Sequence, residues 1–184
     1  MRAAHPAITS NRMTTSNFHI VPLPSDLADD AREAVRRGAR DHALVEVDSP
    51  RSFPCRHCLS WAQPGERVVL FTYASIPAGH PYAESGPIVV HEQRCEPYGD
   101  TKNYPSDLRQ GRVLRAYDSQ ANMIDAAVVN GEEPETIISK LFSNPATDFL
   151  QVRSVTHGCF TFKIERAVDR GRRVTLRTAK RLQN

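Results

Sequence analysis

The sequence lacks any long run of apolar residues. Its longest uninterrupted apolar stretches, at residues 68–71 and 126–129, are far shorter than the roughly 20 residues of a membrane-spanning helix. Low-complexity tracts and short internal repeats are also missing, which argues against fibrous and solenoid architectures. A chain of 184 residues with 24% charged side chains is instead typical of one globular domain.

Residues 1–16 lack the apolar centre of a secretory signal peptide. We interpret them as a polar leader, with a single domain over residues 17–184, and we expect a cytoplasmic protein without a membrane partner. Thiols stay reduced in the cytoplasm. The four cysteines therefore indicate metal or redox chemistry before structural disulfides.

Two common catalytic signatures are missing as well. The chain has neither a glycine-rich phosphate loop nor a GxSxG nucleophile elbow. Residues 163–184 carry eight basic residues against two acidic ones, a balance that can attract phosphate or nucleic acid. No aromatic residues accompany these charges, so we expect a solvated end and no nucleic-acid partner. A non-enzymatic binding module that uses this basic segment remains an alternative.

Hydrophobic periodicity and turn residues predict two helices and about eight strands. The helices are expected at about 25–38, with Ser25 as N-cap, and at 134–142. The strands are expected at 18–23, 43–47, 67–74, 88–92, 113–117, 123–129, 149–155, 160–168 and 174–177. Because strands follow one another directly, the predicted class is α+β, with one mostly antiparallel sheet or a partly open barrel flanked by two helices.

Three long loops are predicted at 48–66, 75–87 and 93–111, and loops of this length in a small domain are more often functional than accidental. The first contains a CxxC motif, Cys55 to Cys58. The strand that follows the second ends near His91, and Cys95 comes four residues later. Three thiolates and an imidazole form a standard tetrahedral zinc environment. The pairs are separated by more residues than in small zinc fingers, so the fold itself must bring them together.

Three interpretations of these residues remain open. In the leading one, Cys55, Cys58, His91 and Cys95 hold a zinc ion that is structural more readily than catalytic. In the second, the CxxC is a redox or nucleophilic thiol pair whose thiol pKa is lowered by His57. In the third, the cysteines are small core residues and the histidines are incidental.

An enzymatic role for the same region needs acid and base groups near the thiols. His57, Glu84 and Tyr82 are the candidate catalytic residues, and a small molecule is the candidate substrate. A simple loop contact with backbone amides is the competing interpretation of Glu84. Trp61, the only tryptophan, is expected to pack over the CxxC.

Cys159 stands apart from the other cysteines in the sequence. Its position relative to Phe160 places it off the main core face of the predicted strand, where a semi-buried thiol is the simplest interpretation. Together with His157 it could also complete the proposed site.

Several motifs resemble a bacterial family named for its lack of an assigned function, the domain of unknown function 1203 family. They are Phe53-Pro54-Cys55-Arg56-His57-Cys58-Leu59, Pro64-Gly65-Glu66, Tyr82-Ala83-Glu84-Ser85-Gly86-Pro87-Ile88, His91, Cys95 and Leu114-Arg115-Ala116-Tyr117. The resemblance covers about residues 17–130 well and the remainder loosely. It implies no activity, but it implies that the CxxC, the Tyr-Ala-Glu loop and His91 belong to one unit.

Overall fold

The computed structural model of the protein describes residues 17–167. The predicted leader, the predicted strand at 174–177 and most of the basic segment lie outside the described residues. Within the described range, the chain forms eight strands, two α-helices and one 3-10 turn. In chain order these are β1 (Phe18–Val21), α1 (Ser25–Arg36), β2 (His42–Glu46), β3 (Arg67–Ile76), β4 (Glu84–His91), the 3-10 turn Ser106–Leu108, β5 (Arg112–Tyr117), β6 (Met123–Val128), α2 (Pro134–Ser143), β7 (Phe149–Ser154) and β8 (Phe160–Arg166).

The strands divide between two antiparallel sheets, neither of which is closed. One sheet has five strands in the order β1-β8-β7-β5-β6, and the other has three in the order β2-β3-β4. The predicted α+β class with mainly antiparallel strands is therefore confirmed, although two sheets take the place of one layer. Helix α2 packs Ile138 and Leu141 into the core of the five-stranded sheet, beside Leu114, Val152 and Phe162.

Strand β4 begins four residues earlier than the sequence predicts. Gly86 and Pro87 suggested a loop, yet both pair with β3. Proline is tolerated because β4 lies at the edge of its sheet, where a missing amide hydrogen breaks no ladder bond on the outer side. The loop between β3 and β4 is correspondingly shorter than expected.

Helix α1 covers one face of the three-stranded sheet. Its buried residues, Ala28, Ala31 and Arg32, recur at helical spacing and contact a core that includes Val69 and Val90. Ser25 is the first residue of the helix and not its N-cap, a position that Pro24 takes. Neither this helix nor α2 has the length and apolarity that a bilayer crossing demands.

The two sheets meet where β3 ends and β4 begins. From β7, Gln151 Nε2 donates a hydrogen bond to the carbonyl oxygen of Ser75, at 3.2 Å. Arg153 Nη1 lies 2.7 Å from Glu84 Oε1. His91 lies at the other end of β4, away from these contacts between the sheets.

Candidate metal centre

Residues 54–61 form a tight turn, here called the CxxC turn. Pro54 and Trp61 pair as an isolated antiparallel bridge at its base. The amide of Cys55 donates to Ser60 O, and the amide of Leu59 donates back to Cys55 O. Leu59 has φ of 57°, a left-handed conformation that is costly for a branched side chain and that closes the turn directly after Cys58.

The CxxC turn docks on the outer edge of β4, and this contact joins the two halves of the site. Cys55 forms an isolated parallel bridge with Val89, and the amide of Arg56 donates to Val89 O at 3.0 Å. His91 follows Val89 by two residues on the same strand. After β4 ends, the chain bends and brings Cys95 back toward the same point.

The four predicted ligands lie together. One donor atom from each of Cys55, Cys58, His91 and Cys95 falls within 4.8 Å of all the others. The Sγ atoms of Cys55 and Cys95 are 3.9 Å apart, and Cys58 Sγ is 3.5 Å from His91 Nδ1. A tetrahedral zinc ion with standard bond lengths requires edges of about 3.8 Å between sulfurs and about 3.6 Å between sulfur and nitrogen. The donor set could therefore hold a metal ion, and these two separations are close to the edges of a zinc tetrahedron.

A buried arginine that was not predicted from the sequence, Arg32, borders the cluster. Arg32 is 2% exposed; its Nε donates to His91 O at 2.9 Å, and its Nη2 donates to Cys95 Sγ at 3.8 Å. Asp29, one turn earlier on α1, pairs with Arg32 Nη1. The sequence does contain a hint of this role, because Arg32 lies at the helical spacing of the buried residues of α1. A charged side chain at such a position needs a specific partner.

Two histidines touch the cluster in different ways. His57 Nδ1 lies 3.4 Å from Cys95 Sγ, and its Nε2 lies 2.9 Å from the hydroxyl of Ser25. The Ser25 hydroxyl thus contacts His57 from the first residue of α1. His91 Nε2, on the ring side away from the sulfurs, is 3.5 Å from Glu66 Oε2. A carboxylate behind a histidine ligand is the usual device for orienting its ring.

The thiols and imidazoles of the cluster shift one another's pKa values. Hydrogen bonds from Cys58 and Cys95 lower the pKa of Cys55, whereas hydrogen bonding to Cys55 and Cys58 raises the pKa of Cys95. Contacts with the Cys55 and Cys58 thiols also raise the pKa of His91, to about 10. Burial, followed by the charge of Arg32, lowers the pKa of His57. These directions favour a Cys55 thiolate beside a protonated His91, so a metal ion bound by both groups would displace the imidazole proton.

Several predicted site residues lie elsewhere. Glu84 is at the opposite end of β4 from His91, about 23 Å away along an extended strand, and binds Arg115 and Arg153. These ion pairs also differ from the contact with backbone amides that the sequence suggested for Glu84. Tyr82 precedes Glu84 and is 40% exposed.

The fourth cysteine and the tryptophan belong to other surroundings. Cys159 and His157 are not part of the four-donor cluster and line a separate cavity with Trp61. The indole of Trp61 packs beside the core of the five-stranded sheet, and its Nε1 donates to Asp107 O at 2.9 Å. All four cysteines are free thiols.

Comparison with known proteins identifies the family. The family model described as "Protein of unknown function (DUF1203)" matches residues 52–166. Searches of curated proteins and of solved structures each found no significant match. The family match covers more than half of the chain, so the chain belongs to the DUF1203 family, and the resemblance inferred from the motifs is confirmed.

Proposed function

We propose that this member of the DUF1203 family binds one zinc ion through Cys55, Cys58, Cys95 and His91 Nδ1, and that the ion is structural. One observation carries the proposal: four soft donor atoms from two distant chain segments converge within 4.8 Å. The 3.9 Å and 3.5 Å separations match the edges of a zinc tetrahedron. A site of this kind would fasten the CxxC turn to the end of β4.

The charges around the cluster support zinc as the bound ion. Three thiolates and a neutral imidazole around a divalent cation leave one net negative charge. The guanidinium of Arg32, which also pairs with Asp29, places positive charge beside Cys95 Sγ. Thiolate-rich tetrahedral sites favour zinc over magnesium or calcium, which prefer oxygen ligands.

A structural role fits the site better than a catalytic one. Four protein donors complete the tetrahedral shell, so no position is left for water or substrate. Cys55 is fully buried, and the partly buried Cys58 and Cys95 pack against the same core cluster. Glu84 and Tyr82, the candidate acid and base, lie near the far end of β4. We further propose a reducing compartment such as the cytoplasm, because three of the free thiols serve the metal.

Metal analysis tests the proposal directly. Protein purified without a histidine tag should contain close to one zinc per chain by mass spectrometric elemental analysis. Cys58→Ser and Cys95→Ser should each release most of the metal. Cys159→Ser is the matched control, since this thiol lies outside the cluster, and it should retain the metal.

Two results would contradict a zinc site. The first is a metal content below about 0.2 per chain in freshly prepared wild-type protein. The second is a metal-free protein in which thiol titration and peptide mapping find a Cys55–Cys95 disulfide, which would support a redox role instead.

A further inference from the structure

A cavity of about 830 Å³ adjoins the CxxC turn and includes none of the four proposed zinc ligands. Its walls come from the CxxC turn, from the residues around the 3-10 turn and from the segment that precedes β8. Trp61, Asp107 and His157 mark these three walls. The volume lies within the range of about 300–1,000 Å³ that is typical of small-molecule sites.

Two buried arginines line this cavity. Arg56 and Arg112 are each only 5% exposed. Arg56 donates from Nε to Phe160 O and from Nη1 to Pro54 O. Arg112 donates from Nε to Leu108 O, and its Cζ lies 5.5 Å from the centre of the Trp61 ring. No hydrogen bond within residues 17–167 uses the two terminal nitrogens of Arg112 or Nη2 of Arg56.

Neither guanidinium has an acidic partner among the described residues. The ion pairs of residues 17–167 do not include Arg56 or Arg112, although Asp107 lines the same cavity. Outside that range the sequence has one acidic side chain, Asp169. Burial disfavours the charged form of Arg112 and lowers its pKa. Buried cations of this kind are normally paired.

The rest of the lining suits the body of an organic molecule. Apolar side chains make up much of it, including Leu70, Ile88 and Val155. Thr161 also lines the cavity, and its hydroxyl is buried without a hydrogen-bond partner within the described chain. The cavity thus combines an apolar surface with two buried cations, the composition expected where an anionic ligand completes the polar contacts.

We propose that this cavity binds a small organic anion whose carboxylate or phosphate group lies against Arg56 and Arg112. The planar guanidinium presents paired donors that match either oxyanion. The apolar part of the ligand packs against Trp61 and the neighbouring aliphatic side chains. The proposal does not depend on zinc, but Arg56 lies between two proposed zinc ligands, so both sites share the CxxC turn.

Trp61 provides the probe, because it is the only tryptophan and it lines the cavity. Its fluorescence should change saturably when zinc-loaded wild-type protein is titrated with benzoate or with phenyl phosphate. Benzamide and benzyl alcohol, neutral compounds of similar shape, should produce no saturable change. The stronger of the two anions identifies the ligand's charged group, and inorganic phosphate measures how much the apolar part contributes.

Substitutions identify the groups responsible. Arg112→Gln should weaken binding of the better anion by about tenfold or more, because a charge-assisted contact is lost. Arg67→Gln is the matched control, since Arg67 is exposed on β3 and absent from the cavity lining. Asp169→Asn should bind as the wild type does. A marked gain of affinity in this variant would show that the chain's own carboxylate neutralises the arginines and would overturn the proposal.

A measurement on the unmodified chain covers the case in which Arg112→Gln does not fold. Saturating anion should slow alkylation of Cys159, which lines the cavity, by several-fold. Equal responses to the anions and their neutral analogues, or unchanged alkylation, would refute the anion site. Metal content measured on the same samples separates this outcome from a failure of the zinc proposal.

Discussion

The buried guanidinium of Arg32 joins helix α1 to the His91 and Cys95 half of the proposed zinc site. It donates to the backbone of His91 and to the sulfur of Cys95. Arg32→Gln should therefore lower the free energy of unfolding by about 2 kcal/mol, the scale of a hydrogen bond from a charged group, and should speed the loss of zinc to a chelator. Urea denaturation and a colorimetric chelator assay measure the two effects.

Arg36 provides a control on the same helix. It is 63% exposed and pairs only with Glu33, so Arg36→Gln should change stability by less than about 0.5 kcal/mol. Equal effects of the two substitutions on zinc release would show that the contact of Arg32 with the cluster is incidental.

At the scale of elements, the turn between β5 and β6 depends on one carboxylate. Asp118 accepts hydrogen bonds from the amides of Gln120 and Asn122 and from the Asn122 side chain. The hydrogen bonds with Asn122 contribute most to lowering the pKa of Asp118. A lowered pKa means that the charged form stabilises the fold above the unfolded pKa of about 3.8 and that this contribution is lost as the pH falls through the lower folded value.

Asp118→Ala should therefore reduce the urea midpoint at pH 7, and the difference in midpoint between wild type and variant should narrow as the pH falls below 3.8. Asp118→Asn keeps one acceptor oxygen for the amides. Its urea midpoint at pH 7 should therefore lie between those of the wild type and Asp118→Ala. A gap that widens on acidification would contradict this assignment.

At the scale of the whole molecule, the two sheets should respond differently to loss of metal. The proposed ion holds the CxxC turn against β4, whereas most of the core of the five-stranded sheet comes from that sheet and α2, with Leu59 contributed by the turn. Chelation should increase hydrogen exchange at the amides of Cys55, Arg56 and Leu59, which bond within or beside that turn. Amides in β5, β7 and β8 should change much less. Uniform acceleration throughout the chain would show instead that the metal supports one cooperative unit.

Much of this architecture could be predicted from local patterns. Alternating apolar residues located the strands, and turn residues such as those around Asp118 located the β5–β6 hairpin. The four proposed ligands were identifiable because thiol and imidazole spacing is itself a local signal. The division into two sheets could not be predicted in this way, since it depends on which distant strands pair.

Other features escaped prediction because they depend on burial. Arginine is more often exposed than buried, so the residue type pointed to the surface for Arg32, Arg56 and Arg112. The spacing of Arg32 in α1 and of Arg112 in β5 matches the buried positions, but it does not show that a charged side chain has a buried partner. The early start of β4 depended on Pro87 lying at a sheet edge, which sequence alone does not specify. The separation of Glu84 from the cluster followed from that same extension of β4.

The bridge between Cys55 and Val89 also sets an order of events during folding. The long hairpin of β3 and β4 lies between the two donor pairs in the sequence, so the pairs meet only after that hairpin forms and its edge receives the CxxC turn. A peptide limited to residues 52–62 would supply half a coordination shell. The proposed zinc ion is therefore expected to bind late in maturation, once the nascent chain has assembled this half of the protein.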